Sequence, residues 1–198
     1  GGNLVLDGFT LTVRPGETVA LVGPPGAGKT MAVQLAGGFY EPDTGSVTLL
    51  GGAPGLHALR EHVVCVFDDA FLFSSSVRDN IAMGSSLPPG ELDAAVREAA
   101  RLACADEFIE RLPDGYDTVV DQDGGSISAG ERQLITIARA FLSQPALLIL
   151  DEVMTGLTPG EARQGVELVR RAKADGQYEL IYETADLVEP DPFPKGYQ

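Results

Sequence analysis

Lysine, cysteine and long apolar runs are all scarce in this chain, and each scarcity excludes something. Only three lysines occur, Lys29, Lys173 and Lys195, and 29 acidic residues face 14 basic ones, a formal charge of −15. A surface of that sign repels phosphate backbones and anionic lipid, so no nucleic-acid partner is expected. The two cysteines, Cys65 and Cys104, fit neither a metal-ligand spacing nor a disulfide framework, which points to a reducing cytoplasm. His57 and His62 also lack a ligand pattern. No stretch approaches the roughly 20 apolar residues that span a bilayer, and the first residues lack the charged-then-apolar order of a leader. Any membrane crossing is therefore expected on another segment or chain.

What remains is a composition for one sizeable core: 198 residues, 44% of them hydrophobic, with no internal repeat. Residues 1–13 read as an extended lead-in with alternating Leu4, Leu6, Phe9, Leu11 and Val13. Arg14-Pro15-Gly16-Glu17 is a turn, 18–22 a short strand, and 29–36 a helix ended by Gly37-Gly38. A strand pair is expected around Asp43-Thr44-Gly45, and another strand over 63–67. Leu92, Ala95, Val96, Ala99, Leu102 and Ala103 recur at helical spacing within 88–105. Helices follow over 107–112, 128–143 and 159–174, with strands at 146–150 and 178–184. Strands alternating with helices imply an α/β domain with a largely parallel sheet.

Three motifs carry chemistry. Gly23-Pro24-Pro25-Gly26-Ala27-Gly28-Lys29-Thr30 matches G-x-x-x-x-G-K-[ST] between a strand and a helix, the context this motif requires. Its glycines let backbone N–H groups close around a phosphate, and the helix end adds partial positive charge. Lys29 can reach the β- and γ-phosphates, and Thr30 offers a hydroxyl to Mg²⁺. The apolar run Leu147-Leu148-Ile149-Leu150 ends in Asp151-Glu152. Asp151 is placed to hold Mg²⁺ through water, and Glu152 to polarise the attacking water as the catalytic base. Ser128-Ala129-Gly130-Glu131 opens the third motif, a helix start with the spacing of a capping box. A helix end of this kind, with a close-approach glycine, is also a γ-phosphate site.

Together these motifs resemble the nucleotide-binding domain of ATP-binding cassette (ABC) transporters, over about residues 3 to 187. Ile127-Ser128-Ala129-Gly130-Glu131-Arg132-Gln133 is similar to the family signature, usually Leu-Ser-Gly-Gly-Gln, standing just ahead of the Asp151-Glu152 strand. The stretches Phe71-Leu72-Phe73-Ser74-Ser75-Ser76-Val77-Arg78-Asp79-Asn80-Ile81 and Leu112-Pro113-Asp114-Gly115-Tyr116-Asp117-Thr118 are similar to exporter segments.

The resemblance implies a P-loop NTPase of ABC type: a mostly parallel core sheet, an N-terminal antiparallel β part and a helical signature subdomain. It implies one such domain over 1–187, with a helical insert at about 75–140, and a loose tail over 188–198. ATP and Mg²⁺ are the implied cofactors. The implied partners are the transmembrane domain of an exporter and a second nucleotide-binding domain, whose ATP the Ser128, Gly130 and Glu131 signature would close over. The implied location is the cytoplasmic face of the cell membrane.

Several positions depart from the family pattern. Asp68 stands at the glutamine that touches Mg²⁺ and water, and Met31 at a second hydroxyl residue, leaving its N–H for the α-phosphate. Glu131 replaces the signature glutamine, and Thr158 an aspartate in Thr155-Gly156-Leu157-Thr158. Ala185 aligns with the switch histidine, and the adenine-stacking aromatic would precede residue 1. Two readings stay open: an ATPase motor using Glu152, or an ATP-binding module with little turnover.

Overall fold

A computed structural model describes residues 5–14, 17–120, 127–151 and 179–184, side chains excepted at position 18 and over 179–184. The chain order is β1 (Thr18–Val22), α1 (Lys29–Ala36), α2 (Leu56–His62), β2 (Val63–Val66), α3 (Val77–Ala82), α4 (Pro89–Leu102), α5 (Asp106–Arg111), α6 (Ala129–Leu142), β3 (Leu147–Leu150) and β4 (Glu179–Thr184). The four strands form one sheet, ordered β1-β4-β3-β2, and every pair is parallel. Val22 pairs with Thr184, and Leu150 with both Tyr182 and Val66, so the strands share one C-terminal edge.

β3 shows why the sequence folds this way. All four of its residues are buried, as expected for a strand covered on both faces. Side chains alternate across a strand, and the packing follows: Leu148 and Leu150 join one core, Leu147 and Ile149 the other. The first core is the larger. It packs Val66 and the two leucines against α3, α4, α5 and α6 through Ile81, Val96, Ile109, Ile135 and Phe141. The second holds Val33 of α1, Leu59 of α2 and Val63 of β2. Helices α3 to α6 thus form a helical part whose interior is shared with one face of the sheet.

One expectation changes. The strand pair expected around Asp43-Thr44-Gly45 reduces, among the described residues, to a single antiparallel bridge, Leu49 with Gly52, closed by N–H donations of 2.9 and 3.0 Å in both directions. Residues 5–14 contain no strand. Glycines at 45, 51 and 52 weaken strand pairing in this stretch. Some of the apolar residues still serve burial: Val13, Val47 and Leu49 pack against the second core, while Phe9 and Leu11 stay exposed. Alternation here encoded at most a partly covered face, not a ladder. Helix α2 was not anticipated: its seven residues are too few for helical periodicity to be read. The helix expected over 159–174 and the tail over 188–198 lie outside the described residues.

Candidate functional site

The shared strand edge decides what can meet. Because the strands are parallel, the segments leaving β1, β3 and β2 emerge on the same side. Those segments begin at Gly23, Asp151 and Phe67. Adjacent strands stand about 4.8 Å apart, so β1 and β3, with β4 between them, are separated by roughly 10 Å. The phosphate-loop candidate, the candidate metal carboxylate and Asp68 are therefore brought to one edge by topology alone, the usual ligand edge of an open α/β sheet.

The loop itself is preformed. Gly26 and Gly28 have φ of +80° and +91°, and the N–H of Ala27 donates to the Pro24 carbonyl at 3.1 Å. Lys29 Nζ donates to the Gly23 carbonyl at 3.0 Å, folding the ammonium back across the loop mouth. Gly28 precedes α1 as its N-cap, with no side-chain cap bond, and the first turn of the helix holds no acidic residue. Its terminal dipole therefore faces outward uncompensated by a carboxylate, which suits an anion. Pro24, Pro25, Gly26, Ala27 and Thr30 are exposed and Met31 half-buried, so the loop and the Thr30 hydroxyl are open to a ligand.

Asp151 is nearly buried, at 6% exposure, and its N–H donates to the Val66 carbonyl at 2.9 Å. Its Oδ1 atom is buried without a hydrogen-bond partner among the described residues. An orphaned carboxylate oxygen costs stability unless something cationic or donating meets it. A hard divalent cation prefers such oxygens, so Asp151 and the Thr30 hydroxyl fit Mg²⁺. Asp68, exposed just past β2, can add a second carboxylate from the neighbouring strand end. Beside Asp151, burial first and the carboxylate second push the Cys65 thiol up to about 12.

The third motif forms as its spacing requires. Ser128 Oγ accepts from the Glu131 N–H at 3.1 Å, and Glu131 Oε2 accepts from the Ser128 N–H at 2.8 Å. The Glu131 carboxylate is thereby engaged in capping its own helix. Ser128 and Ala129 remain exposed, while Gly130 is buried. Glu152, Thr158 and Ala185 lie outside the described residues.

Two side chains to which the sequence reading gave no role tie this edge to the helical part. Gln133 Nε2 donates to the Phe67 carbonyl at 2.8 Å, and Arg139 Nε donates to the Asn80 carbonyl at 2.7 Å. Their signal in the sequence was slight: polar residues on a helix otherwise rich in buried apolar ones.

Comparison with known proteins agrees with this geometry. A family model described as ABC transporter matches residues 6–155. The chain is 46% identical over 159 residues to the heterocyst differentiation ATP-binding protein HepA of Nostoc sp., covering 78% of this chain and 26% of that protein. It is 46% identical over 159 residues to a fatty acid ABC transporter ATP-binding/permease protein of Mycobacterium bovis, covering 79% and 25% respectively. Among solved structures, a bacterial Atm1-family ABC exporter with ATP bound superposes with a TM-score of 0.80 at 32% identity, covering 92% of this chain and 32% of that one. The chain spans about a quarter of the length of these curated relatives.

Proposed function

The chain belongs to the ABC transporter family, and we propose that it is the MgATP-binding domain of an exporter, working as part of a longer protein or complex. The observation that carries this reading is the preformed loop at 23–30 on the same sheet edge as Asp151. In it, Lys29 and the α1 terminus meet the phosphates, while Thr30 and Asp151 hold the metal, with Asp68 in support. The metal, when bound, supplies charge for the developing phosphate oxygens and orients them. Glu152, next along the chain from Asp151, would polarise the attacking water.

The exporter assignment draws on the relatives, two of which bear printed names describing a fatty acid transporter and a lipid A-core flippase. No helix among the described residues is long and apolar enough to cross a membrane. The transmembrane part would therefore be a separate region, with this domain at the cytoplasmic face. The exposed ring pair of Phe71 and Phe73, 4.9 Å apart and edge to face, offers that region a contact. A second copy or a related domain would supply the other half of the nucleotide sandwich through Ser128 and Gly130.

A second reading, an ATP-binding module with little turnover, has its own support. Ala185 aligns where a histidine would stabilise the γ-phosphate, and losing one such donor costs on the order of 10²–10³ in rate. Thermal melts separate binding from its absence. MgATP at a hundredfold excess over Kd should add about 2.7 kcal/mol of stability, and Lys29→Ala should remove most of that gain. Superimposable melts with and without MgATP would overturn nucleotide binding. Phosphate release that depends on Glu152 would then separate motor from module.

A further inference from the structure

Between β2 and α3 the backbone from Phe67 to Ser75 has no regular structure, yet several of its polar groups are taken up by side chains from elsewhere in the fold. Asn80, fully buried, holds it from within. Asn80 Oδ1 accepts from the Phe73 N–H at 2.8 Å, and Nδ2 donates to the carbonyls of Phe73 at 2.9 Å and Ser76 at 3.0 Å. One amide thus closes the 73–76 turn and sets the start of α3.

Helix α6 grips the same segment from outside, at two points. Gln133 takes the Phe67 carbonyl at 2.8 Å, where β2 ends. Six residues and roughly 9 Å further along the helix, the Arg139 guanidinium takes three acceptors. Nε reaches the Asn80 carbonyl at 2.7 Å, Nη2 the Asn80 Oδ1 at 3.2 Å and Nη1 the Phe71 carbonyl at 3.4 Å. Only a planar fork can serve acceptors spread in this way; an ammonium is a point donor. Burial also holds the Arg139 pKa below its ordinary value, and its work here is hydrogen bonding to backbone.

What the grip joins is notable in function. At one end of α6 stands the capped, exposed Ser128 turn. On the gripped segment stand Asp68 and the exposed rings of Phe71 and Phe73, at 60% and 43% exposure. We propose that Gln133 and Arg139 are positioning residues that lock residues 67–80 to α6, so that a load on the Phe71–Phe73 pair moves the Ser128 helix end as part of one rigid body. The role given to Ser128 rests on the nucleotide reading above; the lock itself does not.

The chain has no tryptophan, so Phe73→Trp introduces a single emission probe at the exposed end. In the nucleotide-free chain, anisotropy decay should show the indole moving with the whole domain. Its nanosecond local motion should at least double in amplitude in Arg139→Lys, which keeps charge but loses the fork. Gln133→Met, which keeps volume but loses the amide, should do the same, and it decides the matter should Arg139→Lys fail to fold. Unchanged local motion in the folded variants overturns the lock.

In the protein that carries this chain, both variants should lower turnover about tenfold with the MgATP Kd changed less than twofold, because residues 23–30 are untouched. Equal losses in affinity and turnover would overturn the positioning role. Where turnover lies below detection, the anisotropy result decides alone. Failure of the unmodified chain to bind MgATP would sink the nucleotide reading and leave the lock standing or fallen on its own measurement.

Discussion

Leu6 lies directly against Gly28: a β-carbon built on the glycine would stand 2.8 Å from Leu6 Cδ2 and 3.2 Å from the Val5 carbonyl oxygen. Gly28 also has φ of +91°, in the left-handed region. Gly28→Ala should therefore be penalised twice. The left-handed backbone costs about 1–2 kcal/mol, and the clash must displace the 5–6 segment from the start of α1. Stability should fall by at least the first amount, and MgATP should no longer raise the melting temperature. Adding Leu6→Ala should restore part of the stability, because it relieves the clash and not the backbone strain. Full recovery in the double variant would show that φ at Gly28 costs nothing.

The reciprocal bonds between Ser128 and Glu131 make a prediction that separates charge from capping. Ser128→Ala removes the acceptor for the Glu131 N–H, and should cost about 1 kcal/mol in urea unfolding. Glu131→Gln keeps an oxygen for the Ser128 N–H and should cost less than half of that. It also removes a negative charge beside a surface proposed to meet triphosphate. ATP-dependent association, followed by light scattering, should therefore strengthen in Glu131→Gln and weaken in Ser128→Ala. Weaker association in Glu131→Gln would show that the carboxylate helps the interface.

Cys65 gives a pH prediction. Its ordinary value is 9.0, and in the fold it stands at about 12, so the folded state keeps the proton more tightly than the unfolded chain does. The stability this represents is fully present below pH 9 and is lost progressively as pH rises toward 12. Melting temperature should fall over that window, and Cys65→Ala should flatten the fall. At pH 8 the half-buried thiol, held protonated by its raised pKa, should react with iodoacetamide more slowly than in the unfolded chain. Alkylation of folded Cys65 as fast as in the unfolded chain would contradict its raised pKa.

Much of this was legible in the sequence, for identifiable reasons. Local rules reached what local physics decides: the loop at 23–30, the capping box at Ser128, and the apolar strand ending at Asp151. Helix α6, expected over 128–143, runs from Ala129 to Leu142. What escaped was decided across the chain. Gln133 and Phe67 are 66 residues apart, and Arg139 and Asn80 are 59 apart, so no window of sequence joins them. The missing strands around Asp43 failed for a related reason. Alternation reports which face is covered, while a ladder also needs a partner strand in register.

Asp151 makes the sharpest test, because its structural and functional demands oppose each other. Among the described residues its Oδ1 is buried with no hydrogen-bond partner, and the carboxylate lies near enough to Cys65 to raise the thiol pKa. Without a cation, a buried charge of this kind is a burden on the fold. Asp151→Asn keeps the shape and removes the charge, so the nucleotide-free variant should be more stable, by about 1 kcal/mol on the scale of one orphaned polar atom. Saturating MgATP should reverse the order, because the unmodified carboxylate then meets the metal and the amide cannot. The two proteins' melting temperatures should therefore cross as MgATP is added, and ATP without a divalent cation should not make them cross. The same change should bring the Cys65 pKa part of the way down, with burial, the larger cause, still holding it up. An Asp151→Asn variant less stable than the unmodified chain without nucleotide would mean that the carboxylate is already satisfied in the fold. Asp151 would then be a structural residue, and the metal would have to be sought at Thr30 and Asp68.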